Sequence, residues 1–259
     1  MDQLLSKKWF DSWISMLDIN LEKAFGDLQE MYLELHSFIF YTSVSVMASS
    51  KIEGEQMELD SYVKHKILNI EYLPELTEKP NDLYKAYLFA KDNSLNEDNF
   101  HKSHNLLTVH LLPPNQRGVL RNSEMLVMEH KTGRIQYEAT MVKILRKEYA
   151  TLWDEITFLL SEKLSIQEVF YFASLIHLVF VDIHPFADGN GRIGRLLEKW
   201  FLAEKLGERA WYIQSEKYYY NNVDDYYKNL ARMGMSYDQL DFQKSIPFLL
   251  MLPKALLKN

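Results

Sequence analysis

Residues 166–195 read IQEVFYFASLIHLVFVDIHPFADGNGRIGR, and this stretch joins two unlike halves. From Ile166 to Ile183 nearly every position is apolar, so a helix here has no solvent face and belongs at the centre of a bundle. Ser165 followed by Glu168 is a capping box that sets the start of that helix. Pro185 cannot continue it, and the clash of its ring with the preceding residue predicts an extended His184 at the helix mouth. Asp188-Gly189-Asn190-Gly191 then reads as a tight loop whose glycines let backbone N–H groups turn toward a ligand. The next helix opens there, anchored by Leu196, Leu197, Trp200 and Phe201, and its N-terminus offers unpaired N–H groups and a positive dipole end. Arg192 and Arg195, three residues apart, share one face and keep their charge at any working pH. Each feature alone is ordinary: a turn, a solvated helix face, a helix-end histidine. In this order they assemble a base, a carboxylate for a cation, an anion nest and two guanidiniums, which polyphosphate binding and phosphoryl-type chemistry require.

Outward from this stretch the chain reads as helices. Thr140 to Leu160 precedes the apolar helix; Gly191 to Leu206, about Asp224 to Met233, and Asp238 to Leu252 follow the motif, the last carrying an apolar run, Ile246 to Leu252, that suits packing on the core. Upstream, Leu4, Leu5, Trp9, Trp13 and Met16 recur at helical spacing, Met31 to Ile52 predicts an apolar helix stopping at Gly54, and Glu55 to Leu68 a more polar one. Lys79-Pro80-Asn81-Asp82 reads as the start of a helix over Leu83, Ala86, Tyr87 and Ala90. Asn96 is placed to cap a helix carrying His104, Leu107 and Leu111, which Leu112-Pro113-Pro114-Asn115 terminates. The period changes only once: Met125 and Val127, then Ile135 and Tyr137 across Lys131-Thr132-Gly133-Arg134, suit a short hairpin. The expected architecture is therefore all-α with one β-hairpin, divided as an N-terminal helical region (1–95), a core (96–235) and a C-terminal helix packed on it (236–259). His101, His104 and His110 read as helix-surface histidines, because no carboxylate is spaced to complete a metal site with them.

Composition narrows the function classes. In 259 residues, 47% hydrophobic and 25% charged, the chain has the balance of a globular protein. Acidic residues outnumber basic ones, 36 to 29, and the net charge of −7 argues against a protein built to coat nucleic acid or an anionic membrane. With no cysteine, disulfides, Cys-based zinc sites and Fe–S clusters are excluded. The segment after Met1 has no apolar signal core, and Val169 to Ile183, interrupted by Tyr171, Ser174, His177 and Asp182, reads as too short to span a bilayer; the expected location is cytoplasmic, with no membrane and no nucleic-acid partner. No GxxxxGK[ST], HExxH or GxSxG motif occurs.

His184 to Arg195 resembles the Fic (Fido-fold) signature HxFx(D/E)GNGRxxR at every specified position. Gly118-Val119-Leu120-Arg121 before the hairpin, the apolar helix, and Asp225-Tyr226-Tyr227 after it extend the resemblance over about Asn96 to Met233. Gly191, rather than lysine, before the first arginine points away from the kinase-like death-on-curing branch. The resemblance implies a Fic/Fido helical bundle and an adenylyltransferase that moves AMP from ATP to a Ser, Thr or Tyr hydroxyl of a target protein. It implies His184 as the base and Asp188 as the Mg²⁺ holder. Gly189, Asn190 and Gly191 would line the anion hole, Arg192 and Arg195 would grip the outer phosphates, Phe186 would anchor the core and Tyr226 would lie near the adenine. The hairpin would be a flap on which the target docks as an added strand through Val127, Met128, Glu129 and His130. Ser49-Ser50-Lys51-Ile52-Glu53-Gly54 resembles the inhibitory motif (S/T)xxxE(G/N) of self-inhibited Fic proteins, with Glu53 pairing with Arg195 at the γ-phosphate position and Ser49 opening the motif. Two other functions stay open at this point: removal of AMP from a modified protein, and a catalytically silent binding module. The target, the trigger and any homo-oligomer are not given by the sequence.

Overall fold

The computed structural model describes residues 3–28, 37–128 and 135–257. Its centre is α8 (Ile166–Ile183), the apolar helix, which opens with the expected capping box: the Ser165 hydroxyl accepts from the Glu168 N–H, and the Glu168 carboxylate accepts from the Ser165 N–H. The helix runs unbroken through Tyr171, Ser174, His177 and Asp182, so by length and composition it is long enough to cross a bilayer; 78% of it is buried inside the protein. It packs on α7 (Val142–Ser161) and, above all, on α9 (Asn190–Leu206).

The upstream helices close around this pair. After a 3₁₀ turn at Lys7–Trp9 and the short α1 (Phe10–Ser15) and α2 (Leu21–Asp27) come α3 (Ser37–Ile52), α4 (Leu59–Leu68), α5 (Pro74–Asp92) and α6 (Glu97–Leu107). The Asn96 side chain caps α6 by accepting from the Asn99 N–H at 2.9 Å. Downstream lie α10 (Ser215–Asn221), α11 (Val223–Ala231), α12 (Ile246–Leu249) and α13 (Met251–Lys254). One apolar core draws on Trp13, Val46, Leu83, Phe180, Leu197 and Leu252, from both ends of the chain.

The strands β1 (Leu126–Met128) and β2 (Ile135–Glu138) pair antiparallel, Leu126 opposite Glu138 and Val127 opposite Tyr137, with an irregularity between Val127 and Met128. The turn between them, with Glu129 and His130, lies outside the described residues, as do the side chain of Met128 and the expected helical stretch from 31 to 36.

Several boundaries differ from expectation. Helix α5 starts at Pro74, in its first turn, and passes through Pro80 instead of starting there. A proline there removes one ladder bond near the helix start, and its fixed φ is helical. Residues 55–58 form a turn instead of helix, because left-handed Gly54 (φ +90°) redirects the chain and Glu55 N–H folds back to the Ser50 carbonyl at 3.1 Å. The segment from Asp238 to Leu252 is broken into 3₁₀ turns at Tyr237–Gln239 and Phe242–Ser245 followed by α12 and α13, with Pro247 and Pro253 interrupting the ladder; Ile246, Phe248, Leu249 and Leu252 are nonetheless buried. The helix expected from Leu4 to Met16 begins only after Ser6 caps a 3₁₀ turn, and α10 has no counterpart in the sequence reading.

Candidate active site

The mouth of α8 is built differently from the expectation. His184 is left-handed (φ 52°, ψ 59°) rather than extended, while its N–H still closes the helix onto the Phe180 carbonyl at 3.0 Å. Pro185 excludes the right-handed helical region here, and a left-handed cap ends the helix in one residue. That conformation costs a side-chain-bearing residue on the order of 1–2 kcal/mol, and Arg121 offsets it. The Arg121 guanidinium donates to the carbonyls of His184 (2.8 Å), Ser123 (2.7 Å), Thr140 and Ile183 (3.4 Å), and its backbone N–H donates to the Pro185 carbonyl at 2.9 Å. His184 Nδ1 lies 3.0 Å from the Val181 carbonyl, an acceptor only, so Nδ1 carries the proton and Nε2 keeps its lone pair. Burial and the neighbouring Arg121 charge hold the ring's pKa below the ordinary histidine value, which favours that neutral form.

The loop after His184 is held from three sides. Phe186 is fully buried and stacks on the His104 ring at 3.7 Å. The Asn190 side chain bridges the loop, accepting from the Phe186 N–H (2.9 Å) and donating to the Phe186 carbonyl (2.8 Å). Asn190 therefore shapes the anion nest with its side chain instead of presenting that side chain to a ligand. His104 accepts the Gly118 N–H at Nδ1 and donates from Nε2 to the Asp188 carbonyl, both at 2.9 Å. It is buried, not on the helix surface as expected, and burial pushes its pKa down to about 4. Gly189 (φ +80°) caps α9 in a conformation that disfavours any side chain, and a Cβ there would press on Leu107 and Thr108. The Asp188 carboxylate is exposed at the pocket edge, with Oδ1 accepting from the Gly189 N–H at 2.5 Å.

Across the pocket, α3 delivers the other side. Arg195 Nη2 lies 2.6 Å from Glu53 Oε1; Nε donates to the Ser49 hydroxyl at 2.8 Å, Nη2 to the Ser49 carbonyl at 3.1 Å, and Nη1 to the Tyr226 hydroxyl at 3.3 Å. Burial opposes the Arg195 charge, but Tyr226 and Glu53 outweigh it, and the net effect raises its pKa. The Glu53 carboxylate rests on the first turn of α9, so close that a Cβ at Gly191 would collide with Oε1. A carboxylate thus occupies the anion-binding end of a helix, as the dipole favours.

These residues line one cavity of about 700 Å³, a volume suited to a nucleotide-sized ligand: His184, Asp188, Gly189, Asn190, Gly191 and Arg195 from the loop and α9, Glu53 from just beyond α3, Val127 and Tyr137 from the hairpin, and Tyr226 and Tyr227 from α11. The Tyr137 hydroxyl donates to the Asp182 carbonyl at 2.6 Å, which ties β2 to α8. Arg192, though predicted as a site residue, does not join them. It is buried outside the cavity lining, its Nη2 4.0 Å from Glu55 Oε1. Ser49 also stays outside the lining and acts on it through Arg195. Among the described residues no His/Cys/Asp/Glu group could by itself hold a metal ion.

Sequence reasoning missed Arg121 and His104 as parts of the site. For His104 the signal was present, since Phe100, His104 and Leu107 share a helical face and all three are buried. For Arg121 no local pattern reveals that its guanidinium reaches carbonyls more than sixty residues away.

The fold is a helical bundle whose central helix ends in a loop that lines the cavity and leads into the N-terminus of α9. Residues 94–202 match the sequence model of the Fic/DOC family. Solved Fic proteins share the fold: a Fic family protein from Desulfovibrio desulfuricans superposes with a TM-score of 0.72 at 22% identity, over 92% of this chain and 70% of that one. A Fic-domain signaling protein from Bacteroides thetaiotaomicron gives 0.64 at 16% identity, over 98% and 92%. Fic-1 from C. elegans gives 0.64 at 16%, over 94% and 70%. No curated protein matches the sequence closely enough to be significant.

Proposed function

We propose that the protein is a protein adenylyltransferase, transferring AMP from ATP to a hydroxyl of a target protein, and that Glu53 holds it in check. The observation that carries this reading is the junction of an unprotonated His184 Nε2, an exposed Asp188, the N-terminus of α9 and Arg195 in one nucleotide-sized cavity, with the Glu53 carboxylate seated where an anion would bind.

His184 Nε2 takes the proton of the target hydroxyl as its oxygen bonds to the α-phosphorus; the bond to the β-phosphate oxygen breaks, and pyrophosphate leaves. The fixed tautomer makes that nitrogen available without prior rearrangement. The N–H groups at the start of α9 stabilise charge on the phosphate oxygens, and Arg195 grips the outer phosphates once Glu53 withdraws. Arg192, outside the lining, acts indirectly. Mg²⁺ fits the donor set, because it binds through one or two carboxylates plus phosphate oxygens, and Asp188 is an exposed hard-oxygen donor beside the nest. When bound, it would neutralise charge on the phosphates of the nucleotide. Tyr226 backs the cavity with its ring, and its hydroxyl is engaged by Arg195. The hairpin, with Val127 in the lining, is the docking edge for the target as an added strand.

Incubation with labelled ATP and Mg²⁺ tests the reading. Label should appear on protein, weakly with the wild type and strongly with Glu53→Gly. No label from either variant rejects transfer, and loss of AMP from a pre-modified target would assign the reverse reaction instead.

A further inference from the structure

On the side away from Glu53, Arg195 begins an unbroken line of buried hydrogen bonds. Its Nη1 reaches the Tyr226 hydroxyl at 3.3 Å; that hydroxyl is 3.1 Å from His177 Nε2; and His177 Nδ1 is 2.8 Å from Glu198 Oε2. All four side chains are at most 1% exposed. With a neutral imidazole and an ionised carboxylate, the donors and acceptors order in one way. A guanidinium only donates, so the Tyr226 oxygen accepts from Arg195 and its single O–H proton goes to His177 Nε2. The ring proton then sits on Nδ1 and is donated to Glu198. Glu198 also accepts from the Tyr219 hydroxyl at 2.8 Å. The line leaves α9 at Arg195, passes through α11 and α8, and returns to α9 one turn later at Glu198, so three helices reference one guanidinium.

Glu198 Oε1, at the end of the line, has no hydrogen-bond partner among the described residues.

We propose that His177 and Glu198 are positioning residues that hold Arg195 through Tyr226, keeping its guanidinium aimed into the cavity when Glu53 is gone. The proposal rests on the reading above, in which Arg195 grips the outer phosphates of a nucleotide. Arg195 is thereby preorganised from behind, and Glu53 occupies a clamp it does not itself shape.

The test uses the full chain carrying Glu53→Gly and compares the dissociation constants of ATP and AMP, which differ in the outer phosphates. Adding His177→Phe, which preserves shape and cuts the line, should weaken ATP roughly ten- to a hundredfold and leave AMP unchanged. Tyr219→Phe removes a different donor from the same Glu198 oxygen and should change neither. In the Arg195→Ala background His177→Phe should cost no further ATP affinity, since residues acting through one contact do not add. Should His177→Phe not fold, Glu198→Gln supplies the same comparison with a smaller loss in the same direction. Equal weakening of ATP and AMP, or an ATP loss with Tyr219→Phe matching that of His177→Phe, would overturn the positioning role. A Glu53→Gly protein that binds ATP no tighter than AMP would instead remove the nucleotide reading itself, and the proposal with it.

Discussion

The two walls of the cavity are made in opposite ways. The loop from His184 to Gly191 is over-determined: Arg121 caps the carbonyl of His184, Asn190 bridges the loop internally, and His104 holds Asp188 from below while stacking on Phe186. Glu53 stands just beyond the last residue of α3, beside a left-handed glycine, with its side chain 21% exposed against 1% for the Arg195 it pairs with. The loop cannot shift without breaking several buried contacts, whereas the Glu53 carboxylate is the more exposed partner of its ion pair. Under the proposed restraint by Glu53, this asymmetry supplies fixed chemistry and a removable occupant.

The largest effect should come from the fixed wall. His184→Ala should reduce AMP transfer by about 10²–10⁴-fold, the usual contribution of a general base, while ATP binding and melting temperature stay close to those of the wild type. Labelling that survives this change would take His184 out of the mechanism.

Arg121→Met removes the cap from the carbonyls of His184, Ser123 and Thr140, and the side chain it removes is 6% exposed. Buried carbonyls left without donors should cost roughly 2–4 kcal/mol of stability, read by denaturant unfolding. A neutral outcome would mean that the left-handed His184 needs no support.

His104 supplies a pH signature for the same wall. Its folded pKa of about 4 lies below the ordinary 6.5, so the unfolded chain takes up the proton first as pH falls. The stability from keeping this ring neutral is fully present above pH 6.5 and is lost between there and about pH 4, by about 3 kcal/mol at full titration. His104→Gln should flatten that slope in unfolding curves measured across this window. An unchanged slope would show that burial does not hold the ring neutral.

Smallest is the metal term. Asp188→Asn keeps the shape and removes the charge, and it should weaken nucleotide binding about tenfold with Mg²⁺ present but little in its absence. Equal effects in both conditions would make Asp188 a loop-shaping residue only.

How much of this was legible in the sequence follows the range of the forces involved. The capping box at Ser165, the Asn96 cap, the hairpin and the apolar α8 are set by residues within a few positions of each other, and periodicity reveals them. The resemblance of residues 184–195 and 49–54 placed Glu53 and Arg195 together before any coordinates. What stayed hidden depends on distant partners. The left-handed His184 depends on Arg121 across the fold, and the Arg192 side chain turns toward Glu55 although its spacing from Arg195 is that of a shared face. The broken C-terminal helix was misread because an apolar run looks the same to periodicity whether or not Pro247 and Pro253 interrupt it.

The central claim, that Glu53 restrains the enzyme through Arg195, is tested most directly by labelled AMP transfer in the four proteins that combine Glu53→Gly and Arg195→Ala. Glu53→Gly alone should raise transfer ten- to a thousandfold, about 1.4–4 kcal/mol of shifted population. Arg195→Ala alone should be poorly active, and in that background Glu53→Gly should bring little or no activation, since the contact it breaks is already absent. Full activation by Glu53→Gly without Arg195 would contradict the pairing as the means of inhibition.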